Sequence, residues 1–157
     1  MKMGDPKELV ALLARHERAV SRLYAIYAGK FPAYSALFAE LADQEEGHAE
    51  LLEQLATLVE EGELCCLAAR FKPMAVKTAL HYVERQIEQA RVDSFLPARQ
   101  ALSVARDLAN SLIEAKWFEV LGDEPPQLRG ALDQLARETA EHRHRVQQAW
   151  LVETSAG

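Results

Sequence analysis

Apolar residues recur at steps of three and four along four long segments of this chain, which is the pattern of amphipathic helices. The first two segments cover about residues 6–29 and 33–61, and the other two cover about residues 96–121 and 127–152. No stretch alternates with a period of two for long enough to form a strand. The sequence therefore predicts an all-α protein.

The turn residues arrange these segments as two helical hairpins. Phe31-Pro32 and the stretch 122–126 separate the two segments of each hairpin, and both contain proline. A longer connection, 62–73, precedes a shorter amphipathic segment at 74–92, and the tail from Thr154 is expected to fray. Two hairpins joined by a crossover with its own short helix are one of the standard ways to close a four-helix bundle. A length of 157 residues fits one domain, 1–157.

The net charge, the absence of long apolar segments and the two cysteines limit the classes of function that the chain can have. The net charge of −6 argues against binding to nucleic acid or to an anionic membrane surface. No window reaches the roughly 18 apolar residues of a membrane-spanning helix, and the polar first residues show no signal peptide, so a cytoplasmic location is expected. The adjacent Cys65 and Cys66 are expected to be small buried residues, although a redox role for the pair is an alternative.

Ionisable residues interrupt the apolar stripes of the first hairpin. Glu17 lies between Leu13 and Val20, and Glu45 and His48 lie on the inward stripe of the second segment, one turn apart. Glu17 and Glu45 are each 14 residues from Phe31, at the centre of the turn, so an antiparallel hairpin places them level. The pattern predicts that two carboxylates and one imidazole meet inside the bundle.

Burying a carboxylate is costly unless it is paired or binds a metal ion. Two carboxylates and an imidazole suit iron, manganese or zinc. The alternative is an ion-paired cluster in which Glu45 and His48 satisfy each other and a nearby arginine contributes, with Arg15, Arg18 and Arg22 as the candidates.

The first hairpin resembles the rubrerythrin branch of the ferritin-like superfamily. The residues that carry the resemblance are Glu17, Tyr24 seven positions later, and Glu45-x-x-His48. The resemblance implies that each hairpin supplies one Glu and one Glu-x-x-His and that the two hairpins enclose a di-iron centre. It also implies that Tyr24 hydrogen-bonds a metal-bound carboxylate or supplies an electron, although packing in the core is its first role.

The second hairpin repeats the first at an offset of 94 residues and departs from the family pattern. His142 corresponds to His48, whereas Thr139 stands where Glu45 would and Asn110 where Glu17 would. Glu114, one turn beyond Asn110, is the best candidate for a fourth carboxylate.

Four more ionisable residues lie near the predicted site in the sequence. Glu138, one turn before His142, is an alternative source of the missing carboxylate. Glu141 and His144 also have the Glu-x-x-His spacing but fall off the inward stripe, so they are expected at the surface. His16 is expected on the flank of its helix rather than in the site.

Two functions of different classes follow. The first is an iron-binding redox protein, a rubrerythrin-like oxidoreductase that reacts with oxygen or peroxide. It would hold one or two ions, with manganese or zinc as alternatives, through the ligands Glu17, Glu45, His48, Glu114 and His142. It would need an external electron donor, because the chain has no Cys-x-x-Cys unit, and homodimerisation is expected by analogy. The second is a non-catalytic bundle, a binding or assembly module whose site holds one metal ion or none.

Overall fold

All the regular structure in the described part of the chain is helical. The computed structural model describes residues 6–58, 72–111 and 126–155. The prediction of an all-α protein is confirmed for these residues. In chain order the elements are α1 (Pro6–Lys30), a short 3-10 helix (Pro32–Tyr34), α2 (Ser35–Leu58), α3 (Pro73–Val92), α4 (Ala98–Ala109) and α5 (Pro126–Ser155).

Most helix boundaries agree with the predicted segments within a few residues. The last helix is longer than predicted, because α5 continues to Ser155 and the Thr154 hydroxyl donates a hydrogen bond to the Trp150 carbonyl. The segment predicted for 96–121 begins as α4 and is helical to Ala109. Its continuation beyond Ser111, together with Cys65 and Cys66, lies outside the described residues.

Helices α1 and α2 form an antiparallel hairpin in the predicted register. The Ser21 hydroxyl donates a 2.7 Å hydrogen bond to the Ala42 carbonyl, and Arg18 Nε lies 3.0 Å from Glu46 Oε1. Both pairs are almost equidistant in sequence from Phe31, the predicted centre of the turn. Glu17 and Glu45, which are paired in the same way, are therefore held at one height.

An aromatic cluster fills the hairpin between the turn and the level of Glu17. The Tyr27 ring centroid lies 5.1 Å from that of Phe38 and 5.9 Å from that of Phe31, and Tyr24 lies 5.8 Å from Phe38. These side chains are all at least nine-tenths buried, and aromatic rings at such spacings contribute beyond their buried area. The cluster holds α1 and α2 together on the turn side of the polar residues. Tyr24 is the member of the cluster on α1 that is closest in sequence to Glu17.

The other helices cover the hairpin on two sides. Helix α3 packs against α1, while α5 packs against both α4 and α2. Buried residues of α3 and α4, such as Val83 and Leu102, share one core with Tyr27 and Phe38. The interior between α1, α2, α4 and α5 therefore excludes solvent at the level of Glu17 and Glu45. Within the described residues, no helix combines the length and the apolar character needed to cross a membrane.

Candidate metal centre

Glu17, Glu45 and His48 meet inside the helical core, as their spacing predicts. Helix α1 supplies Glu17, and α2 supplies Glu45 and His48 from adjacent turns. Each side chain offers a ligand atom, and these atoms lie within 4.8 Å of one another. The three residues are 0%, 3% and 2% exposed, respectively. Such convergence of buried carboxylate and imidazole groups is suited to holding a metal ion.

His142 of α5 completes the arrangement from the opposite side of the bundle. Its Nδ1 atom lies 3.3 Å from Glu45 Oε1, and His48 Nδ1 lies 3.5 Å from Glu45 Oε2. The two imidazole rings are stacked, with centroids 5.5 Å apart and planes at 30°. Each oxygen of the Glu45 carboxylate thus faces an imidazole nitrogen.

The outer nitrogens of both histidines are hydrogen-bonded across the interface between α2 and α5. His48 Nε2 donates to Glu138 Oε2 at 2.7 Å, and His142 Nε2 donates to Gln44 Oε1. Both contacts are made to oxygen atoms, so each Nε2 donates its proton. Each Nδ1 faces Glu45, so it either carries a second proton that it donates to this carboxylate or offers its lone pair to a metal cation between them.

The two outer partners are equivalent positions of the two hairpins. Gln44 immediately precedes Glu45, and Glu138 immediately precedes Thr139, so they are related by the same offset of 94 that relates His48 to His142. Each histidine therefore bonds to the residue that precedes the ligand position of the other hairpin. The internal repeat was the signal that could have identified Gln44 from the sequence, and Glu138 acts on His48 instead of replacing a missing carboxylate.

The charge of the site is concentrated on Glu45. Burial acts to raise the pKa of this carboxyl group, but hydrogen bonding from Glu17, His142 and His48 outweighs it and holds the pKa well below its usual range. The arginines of the ion-paired alternative lie elsewhere. Arg18 binds Glu46 and Glu53 at the surface, and Arg15 and Arg22 are exposed.

Small and neutral residues of α4 and α5 lie opposite Glu45, where the expected resemblance to rubrerythrins predicts carboxylates. Thr139 is 1% exposed, and with Tyr24, Ala109 and His142 it lines a cavity beside Glu45 of about 10 Å³, enough for about one water molecule. The residue of α4 that faces this cavity is Ala109, because Asn110 is exposed and its side-chain amide donates to the Arg106 carbonyl. Glu114, the candidate fourth carboxylate, lies outside the described residues.

The remaining candidates divide between surface and interior. Glu141 and His144 are exposed, as their position off the inward stripe predicts. The expectation for His16 is wrong, because it is 1% exposed and not a flank residue. Burial lowers the pKa of His16 to about 4, and the negative charge of Glu45 offsets part of that shift. His16 is therefore neutral at pH 7.

A groove between α2 and α5 leads from the protein surface to the outer edge of the centre. Acidic side chains of α2 line it, including Glu40, Asp43 and Glu50, and its inner end is formed by His48 and Glu138. Glu138 is 29% exposed at this point, whereas His48 is buried behind it. The groove gives cations an acidic approach to the outer edge of the site.

Comparison with protein-family models, with curated proteins and with solved structures finds no match to this chain. The functional argument therefore rests on the helical fold and on the chemistry of the buried residues. Those residues include the Glu17, Glu45 and His48 group that could hold a metal ion, with His142 Nδ1 3.3 Å from Glu45 Oε1.

Proposed function

We propose that this protein is a ferritin-like, iron-binding redox protein whose centre reacts with dioxygen or peroxide. Glu17, Glu45, His48 and His142 are the ligands in this proposal. The observation that carries it is the direction of the two histidines. Each holds its outer nitrogen in a hydrogen bond and turns the other towards the same buried carboxylate.

The residues present fit a metal ion by their chemistry. Two carboxylates and two imidazoles form a hard-to-borderline donor set suited to iron, manganese or zinc. A cation between Glu45 and the two Nδ1 atoms would take the place of the protons that otherwise join them. The acidic groove beside His48 supports the same conclusion, because a metal site inside a bundle needs an approach from solvent.

The protein residues have distinct roles in this proposal. Glu138 and Gln44 fix the tautomer and orientation of the two histidines, as hydrogen-bond partners of metal ligands commonly do. Tyr24 lines the inner cavity, where it can hydrogen-bond a ligand carboxylate or supply an electron. Iron, when bound, supplies a change of oxidation state and open coordination positions. The electrons come from a separate donor protein.

Metal content tests the proposal directly. The protein is purified from cultures supplemented with iron, manganese or zinc, and each metal is measured per chain. We expect about one iron per chain, because the described ligands suffice for one ion. About two per chain would indicate a di-metal centre. If no metal binds, and Glu45→Ala is as stable as the wild type or more stable, the metal hypothesis is excluded.

A second function is favoured by the residues opposite Glu45. Thr139 and Ala109 line the cavity where a di-iron centre would have carboxylates, which supports a non-catalytic bundle with a mononuclear or lost site. Peroxide added to the Fe(II)-loaded protein discriminates the two functions. The redox proposal expects ferric absorbance to develop faster than for the same amount of Fe(II) mixed with the Glu45→Ala variant. Equal rates would favour the binding module.

Glu138→Gln is expected to weaken metal binding without removing it. Glutamine keeps the size of the side chain but not its charge, so the hydrogen bond that holds His48 Nε2 becomes weaker. Loss of such outer partners typically lowers metal affinity by about 10- to 100-fold. Titration with Fe(II) under anaerobic conditions measures the change. Glu141→Gln is the matched control because Glu141 is exposed on the same helix; equal affinities of the two variants would contradict the role given to Glu138.

A further inference from the structure

His16 is a buried polar residue for which the four-ligand site gives no explanation. It directly precedes Glu17 on α1 and is 1% exposed. Within residues 6–58, 72–111 and 126–155, neither of its ring nitrogens has a hydrogen-bond partner. A neutral imidazole has one donor and one acceptor, and leaving both unmet in the interior is unfavourable. A buried group of this kind calls for a partner that the described residues do not provide.

The position of His16 indicates where that partner lies. His16 directly precedes Glu17 on α1, so its backbone lies at the level of the proposed ion, and the negative charge of Glu45 acts on its ring. His16 is nevertheless outside the group of ligand atoms formed by Glu17, Glu45 and His48. The His16 ring is therefore buried at the level of the proposed ion but is not one of the converging ligands, which suits contact through an intervening water molecule.

We propose that His16 belongs to the metal centre as a positioning residue, hydrogen-bonded to a water molecule that the bound ion holds. This inference rests on the proposed function, because it needs an ion at Glu17, Glu45 and His48. It adds to the centre a fifth residue that the rubrerythrin resemblance does not include. It also gives the buried His16 imidazole a hydrogen-bond partner, which none of the described residues supplies.

Two substitutions separate this role from simple packing. His16→Leu has a similar size but cannot hydrogen-bond, whereas His16→Gln retains a donor and an acceptor. We expect the metal-free leucine variant to melt at the wild-type temperature or higher, because an unsatisfied polar group has been removed. We also expect its Fe(II) affinity, measured by anaerobic titration, to fall about tenfold. The glutamine variant should recover most of that affinity.

The matched control is Ser21→Ala, about one turn further along α1. Ser21 is satisfied by its bond to the Ala42 carbonyl, so its loss should leave the Fe(II) affinity within about twofold of wild type. If His16→Leu also keeps wild-type affinity, the inference is wrong while the proposed function stands. If the leucine variant does not fold, the glutamine variant decides, and an affinity more than about tenfold below wild type overturns the hydrogen-bonding role. If wild-type protein binds no metal and Glu45→Ala is as stable as wild type or more stable, both proposals fail.

Discussion

Glu17→Gln is expected to abolish the stabilisation of this protein by metal while leaving the metal-free protein folded. In the wild type, Fe(II) at 100 times its dissociation constant should stabilise the fold by about 2.7 kcal/mol. For a chain of this size, that corresponds to a rise of about 5–10 °C in melting temperature. Glutamine has the size of glutamate but lacks the negative charge that binds a cation, so the rise should disappear.

The same substitution should not lower the stability of the metal-free protein. Glu17 is fully buried and hydrogen-bonds to the Glu45 carboxylate, and a glutamine amide can donate the same bond without placing an ionisable group in the interior. The substitution therefore removes the cost of burying a titratable carboxyl group, so the metal-free variant should be at least as stable as wild type. A site that opposes stability when empty and contributes to it when filled is the expected behaviour of a functional metal centre.

Thermal unfolding with and without Fe(II), under anaerobic conditions, measures both effects. Glu88→Gln, the same change on the exposed face of α3, is the control and should retain the wild-type response. A Glu17→Gln variant that is still stabilised by Fe(II) to the wild-type extent would remove Glu17 from the ligand set.

The first half of the site could be predicted from sequence because it depends on one turn. The equal spacing of Glu17 and Glu45 from Phe31 determines their height once the hairpin is antiparallel. The helical period then places His48 beside Glu45. These inferences use only local geometry, and the structure brings the three residues together.

The burial of His16 and the position of Ala109 required tertiary information. The stripe through Leu13, Glu17 and Val20 describes one face of α1, but α1 is covered by α3 as well as α2, so more of its surface is buried than one stripe implies. On the other side of the bundle, the rotation of α4 turns Ala109 towards the cavity and leaves Asn110 exposed. A repeat offset aligns two hairpins in sequence but does not determine how each helix is rotated.

Thr139→Glu is expected to raise the metal content from about one ion per chain to two. Thr139 is buried one turn before His142 and lines the same cavity as Glu45. The substitution would give α5 the Glu-x-x-His pattern that α2 already has. A second ion would then have the introduced carboxylate, His142 and a shared Glu45 as ligands, while Glu17 and His48 remain with the first.

The gain in metal binding should come with a loss of stability in the empty protein. The cavity beside Thr139 holds about one water molecule, so a longer side chain must displace its neighbours, at a cost of about 1–3 kcal/mol. Thr139→Gln separates the two effects, since glutamine imposes the same packing cost without a charge to bind a cation. The glutamate variant should therefore show the larger rise in melting temperature on adding Fe(II), and elemental analysis should find two ions per chain against one in the glutamine control. Equal metal content in the two variants would mean that the missing carboxylate at position 139 is not what limits the site to one ion.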